Sequence, residues 1–120
     1  AWKGYTIGDN THQDQSAFPW RLDDERLMYP FYERIRRAGI TTVAIHKGLF
    51  PPAAAQRNPR LEPFAGVADV AKAARDWPDI RFLIYHAAYR NSPPDQASAL
   101  FEATGRMEWL TDLAAIPERH

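Results

Sequence analysis

The sequence predicts an α/β fold with a parallel sheet, and a few observations carry that expectation. Thr41-Thr42-Val43-Ala44-Ile45-His46 is an apolar, β-branched run that stops on a histidine and hands over to Lys47 and Gly48. One repeat later, Ile80-Arg81-Phe82-Leu83-Ile84-Tyr85-His86 follows the same pattern. An amphipathic helical pattern precedes each run. Runs of this kind read as buried strands, and strands alternating with helices predict right-handed crossovers within one parallel sheet. Such a sheet brings the two imidazoles to the same end, where α/β proteins keep their chemistry.

Each element has its own local reason. Trp2-Lys3-Gly4-Tyr5-Thr6-Ile7 is a short strand candidate, rich in aromatic and β-branched residues. Gly8 to Arg21 is polar and irregular and reads as a loop. Asp23 or Asp24 is a good N-cap, and Leu27, Phe31 and Ile35 then recur at helical period. Pro30 favours a helix that starts properly only near Tyr29 or Pro30, and Gly39 supplies its stop. Lys47 to Gly66 reads as a long loop with Pro51, Pro52, Pro59 and Pro63, of the length that is usually functional. Val67, Val70, Ala71, Ala74 and Trp77 give the next helical stripe, ended by Pro78. After the second histidine-ending run, Ser92-Pro93-Pro94-Asp95 opens a helical region that is interrupted at Gly105 and resumes through Met107, Leu110 and Leu113.

Composition narrows the function classes. The chain has 120 residues, compatible with one small domain, and 45% hydrophobic residues, enough for a core. Lys+Arg and Asp+Glu stand at 15 each, which argues against a nucleic-acid footprint or a polybasic membrane patch. Without cysteine there is neither a disulfide framework nor a thiolate metal site, which suits the cytoplasm. No apolar run approaches the ~20 residues of a membrane span. No signal peptide is visible, and a first residue of Ala1 leads us to expect a processed or cut N-terminus.

His46 and His86 are the sharpest candidates. Imidazole is both a neutral metal ligand and a base near neutral pH. Two at matched strand ends favour function over a pair of satisfied structural histidines. Alternation from His46 puts Ala44 and Thr42 on its side and turns Val43 and Ile45 to the helices; from His86 it puts Ile84 and Phe82 on the histidine side. A catalytic zinc takes three protein ligands plus water, and the third is not evident. His12 lies in a polar loop, His120 is the last residue, and no spacing supports Asp9 or Asp14. Lys3, with Tyr5 on the same strand, is the substrate-binding candidate. In one register it faces the histidine end and steadies a carboxylate; in the other it faces solvent. Lys47 is expected to be a loop cation pointing away from His46, and Arg90 to be either an anion ligand or an ordinary loop arginine. There is no Gly-rich phosphate loop, serine nucleophile elbow or paired-cysteine motif.

Several segments in order carry a resemblance: Ala1-Trp2-Lys3-Gly4-Tyr5-Thr6, Leu22-Asp23-Asp24-Glu25, Ile45-His46-Lys47-Gly48-Leu49, Ala74-Arg75-Asp76-Trp77-Pro78, Ile84-Tyr85-His86 and Thr104-Gly105-Arg106-Met107-Glu108-Trp109-Leu110-Thr111-Asp112-Leu113. Together they resemble the amidohydrolase-related (amidohydrolase 2) family of metal-dependent hydrolases and decarboxylases, the group of aminocarboxymuconate-semialdehyde decarboxylase. The resemblance implies a distorted TIM (β/α)8 barrel with a divalent metal, zinc, at the C-terminal strand ends. It implies that residues 1–120 are a single segment, a partial barrel of about three βα units from its centre. His46 matches the family's strand-five metal ligand. His86 matches the strand-six histidine, a catalytic base or a second-metal ligand. The family's His-x-His on the first strand and aspartate on the last are not in this sequence, so the resemblance implies a fragment of a longer enzyme, inactive alone. The expected partner is a small-molecule substrate, a carboxylate where Lys3 faces the site, with no nucleic acid and no membrane; exposed sheet edges add an expectation of a homo-oligomer. The reaction is hydrolysis or non-oxidative decarboxylation, which a fold does not choose between. The alternative is a non-catalytic α/β interaction or scaffold module.

Overall fold

Three short strands carry the sheet in a computed structural model that describes residues 1–8, 16–90 and 92–117. β1 (Trp2–Tyr5), β2 (Thr42–His46) and β3 (Arg81–Tyr85) pair in parallel in the order β1-β2-β3. The register aligns Lys3 with Ala44 and Leu83, and Tyr5 with His46 and Tyr85. The helices among the described residues are α1 (Met28–Arg37), α2 (Pro52–Arg57), α3 (Glu62–Ala65), α4 (Val70–Asp76), α5 (Pro94–Thr104) and α6 (Glu108–Ala114). The expected parallel α/β arrangement is present, with β1 ending at Tyr5 and His86 lying just beyond β3.

Helix α1 bears out the sequence signals in part: its N-cap is Leu27 rather than Asp23 or Asp24, and of the expected stripe Leu27 is exposed, while Met28, Tyr32 and Ile35 are buried. The Asp24 side chain accepts from the backbone N–H groups of Arg26 and Leu27, and its carbonyl accepts from Met28, which fixes the turn leading into the helix. Pro30 falls in the first turn, where its missing N–H has no intrahelical partner to lose. At the other end Gly39 has φ +76. There Ile40 N–H bonds the Ile35 carbonyl and Gly39 N–H that of Arg36, the paired bonds of a Schellman stop.

The stretch from Lys47 to Gly66 is not the irregular loop its prolines suggest. Pro52 and Pro63 sit in first-turn positions that tolerate proline, and Ala53-Ala54-Ala55 are the best helix formers. The stretch folds as α2, a 3-10 turn over Pro59–Leu61, and α3. Phe50, Ala54, Ala55, Leu61 and Ala65 build a second small core with Ile7.

Helix α4 is shorter than its apolar stripe, and the stripe is corrected in detail. Val67, Val70 and Ala73 are buried, whereas Ala71 is exposed and Ala74 half-buried. Helices α1 and α4 pack on the same face of the sheet. Met28, Tyr32, Ile35, Val70 and Ala73 share one core with Val43 and Ile45, and Phe82 and Ile84 pack against it. Consecutive crossovers of one hand between neighbouring strands produce this placement.

The opposite face carries Lys3, Tyr5, Ala44, His46, Leu83 and Tyr85, with Lys3 and Leu83 exposed. Parallel sheets are ordinarily covered on both faces, and among the described residues no layer covers this one. The outer edges of β1 and β3 are likewise unpaired among the described residues. At the C-terminal side, Gly105 at φ +68 ends α5, which buries none of its residues. Trp109 and Leu113 of α6 pack against the main core. No described helix is long and apolar enough to cross a membrane.

Candidate functional site

His46 is the last residue of β2, and alternation turns it to the uncovered face with Ala44. Its neighbours in register close around the ring. Tyr5 stacks on it at 4.3 Å between centroids with 21° between planes, and Tyr85 meets it edge-on at 5.1 Å. The His86 ring lies 4.9 Å away, tilted by 57°. Lys3 shares this face, its Nζ 5.4 Å from the Tyr5 ring centroid and 5.1 Å from that of Tyr85. Of the two registers open to Lys3, the structure has the one on the histidine side, and there the ammonium is also exposed to solvent.

The third strand corrects the sequence parity. Tyr85, not His86, pairs with His46, so Leu83 and Tyr85 belong to the histidine face while Phe82 and Ile84 pack toward the helices. His86 stands outside the ladder in a turn with φ +57 at His86, +46 at Ala87 and +56 at Ala88. Strand alternation does not govern a residue there, and the turn brings its ring to His46.

Burial, then the neighbouring His86, then Lys3 hold the His46 imidazole below its ordinary value of 6.5. It is therefore neutral at physiological pH, the form that ligates metals and accepts protons. The unfolded chain takes up the proton first, so this contribution to stability is complete above about pH 6.5 and is lost as pH falls toward the lowered folded value. In His86→Gln the His46 ring should titrate at higher pH than in the parent, and in Lys3→Met it should rise by a smaller step. Proton NMR of the His46 ring reads both; unchanged midpoints would refute the coupling.

Lys47 departs from expectation. It points away from His46, but it is not a loop cation. Its ammonium is fully buried, donating to Asp69 Oδ2 at 2.7 Å and to the Phe64 carbonyl at 2.9 Å. Burial pulls its pKa down, and the Asp69 carboxylate opposes that. Asp69 Oδ2 also accepts from Leu22 N–H at 2.8 Å, and Thr6 Oγ1 donates to the Phe64 carbonyl at 2.8 Å. The strand ends that carry Tyr5 and His46 are thus pinned from beneath. Asp69 was not singled out by sequence, and nothing in the sequence tied it to Lys47.

Arg90 resolves to a structural role. It bridges Glu62 at 2.7 Å and Glu108 at 3.2 Å and lies 4.9 Å over the Trp109 ring, so its charge is engaged by its own chain. Asp9, His12, Asp14 and His120 lie outside the described residues. Among the described residues no group of three or more His, Cys, Asp or Glu side chains could hold a metal. Tyr85 completes the aromatic wall and was not singled out by sequence; its signal was its place one residue before His86.

Fold and site together define an α/β protein with a parallel sheet covered on one face and a histidine pair at the strand ends of the other. Compared with protein-family models, curated proteins and solved structures, the chain matches none.

Proposed function

We propose that this chain contributes central strands to a (β/α)8 barrel that acts as a metal-dependent hydrolase or non-oxidative decarboxylase of the amidohydrolase kind in the cytoplasm. The observation that carries the reading is the His46–His86 ring pair, 4.9 Å apart on the uncovered face of the sheet. Sequential strand order with helices on one side is the arrangement of a barrel wall, whose other face lines the interior. The chemistry of the donors fits a divalent metal, zinc. The two neighbouring imidazoles would supply two of the three protein donors that catalytic zinc takes, and the rest would come from outside the described residues.

In this reading His46 holds the metal, and its plane is fixed by the stacked Tyr5 ring. The metal supplies Lewis acidity. His86 is either a further ligand or the base that takes and returns a proton at an imidazole nitrogen. Lys3, reaching over Tyr5 and Tyr85, draws a substrate carboxylate toward the pair. The test is metal content and activity of the intact protein. Tightly held metal that disappears together with activity in His46→Ala is the expected result. Metal and activity retained in His46→Ala, or a parent protein that takes up no added zinc, would overturn the assignment.

A further inference from the structure

His86, Ala87 and Ala88 form three consecutive residues with positive φ, none of them glycine. For L-residues that conformation is strained and persists only where the surroundings over-determine it. Here it has a geometric consequence. Tyr85 already faces the His46 side, so a straight continuation of β3 would send His86 toward the helices. The left-handed turn reverses that and lands the ring against His46.

Backbone contacts with the chain after β2 hold the turn. Tyr89 N–H closes it onto the His86 carbonyl at 2.8 Å, and Leu49 N–H bonds the Tyr89 carbonyl at 2.7 Å. Gly48, at φ +73, lies flat against it. A Cβ at this position would stand 2.4 Å from the Ala88 carbonyl carbon, 2.5 Å from the Tyr89 oxygen and 2.6 Å from the Ala88 oxygen. All three are backbone atoms, so no rotamer change makes room. Gly48 itself is anchored by its N–H on the Ala65 carbonyl at 2.8 Å.

We propose that Gly48 and the left-handed His86–Ala88 turn are the positioning device of the histidine pair: the close backbone approach that glycine allows locks the turn, and the turn aims His86 at His46. The proposal rests on that pair being the functional one. Gly48 acts through the turn.

The test compares Gly48→Ala, Ala87→Val and Ala87→Gly in the intact protein. Two readouts are taken: the nuclear Overhauser contact between the His46 and His86 rings in metal-free protein, and affinity for added Co(II) by absorption spectroscopy. Gly48→Ala should push the turn away. Ala87→Val should disfavour it, because a β-branched residue is a poor fit at positive φ. Both should lose the ring contact and weaken Co(II) binding by roughly 10–100-fold, the scale on which a misoriented ligand costs affinity. Ala87→Gly, which adopts positive φ freely, should keep both at the parent level and melt higher. Ala87 is exposed, so the valine meets no core, and it decides the matter if Gly48→Ala does not fold. Retention of the ring contact in a folded Gly48→Ala or Ala87→Val protein would overturn the proposal. A parent that binds no Co(II) would sink the metal reading, while the ring contact still decides the positioning.

Discussion

Lys47→Met is expected to lower folding stability by roughly 3–5 kcal/mol, because it strands a carboxylate in the core. Both side chains of the Lys47–Asp69 pair are fully buried. Among the described residues, Asp69 Oδ2 keeps only the Leu22 N–H once the ammonium is gone, and Oδ1 has no partner already. The Phe64 carbonyl is less affected, since the Thr6 hydroxyl still donates to it. Methionine fills much of the volume of the lysine stem, so the loss is mainly electrostatic rather than a cavity. That makes the second variant informative. Lys47→Met with Asp69→Asn removes the orphaned charge yet retains an acceptor for Leu22 N–H, and it should recover most of the stability. Urea unfolding reads the series through midpoints at constant slope. A single Lys47→Met within about 1 kcal/mol of the parent would mean the pair is not the anchor that its burial indicates.

Tyr32→Ala is the other large expected loss, about 3–5 kcal/mol. The ring is fully buried and sits edge-on to Trp77 and to Phe82, each at 5.5 Å between centroids. It joins α1 to the helix side of β3 and to the corner after α4. Tyr32→Phe separates packing from polarity: it keeps the ring and removes only the hydrogen bond to the Leu22 carbonyl at 2.9 Å, for about 1–3 kcal/mol. The phenol also shapes the alkaline limit. Burial first, then Asp69, pushes its pKa well above the ordinary 10.0. The unfolded chain releases this proton first, so the contribution is complete below about pH 10 and is lost as pH rises above that. Tyr32→Phe should flatten the alkaline fall in stability. The Tyr29 phenol, raised in the same direction by burial and by its bond to Asp76, keeps a remainder.

The sequence made the alternation of strands and helices readable because burial imposes a period on it. β2 was legible to within a residue at each end, as a β-branched apolar run bounded by polar residues. What was not legible depended on pairing in space. The face assignment of β3 failed because parity was counted from His86, a residue that the left-handed turn removes from the strand. The Lys47–Asp69 pair spans 22 positions and leaves no local pattern. The helices between Lys47 and Gly66 were hidden by prolines that read as breakers but serve as first-turn residues. The two imidazoles at one end of the sheet followed from strand order alone, whereas the wall formed by Tyr5 and Tyr85 needed the register.

The two-sidedness of the sheet carries a consequence for how this chain tolerates change. Trp2, Gly4, Val43, Ile45, Phe82 and Ile84 answer to volume and apolarity, since the helix-covered side needs only to be filled. Lys3, Tyr5, His46 and Tyr85 answer to chemistry, because what they present is not absorbed by the core. A saturation library across the strands should therefore sort by parity. On the proposed function, substitutions at one set of alternate positions would shift abundance and melting while sparing metal binding. Those at the other would leave a folded protein without it. Two selective pressures would then be interleaved residue by residue along the same few ångströms of chain.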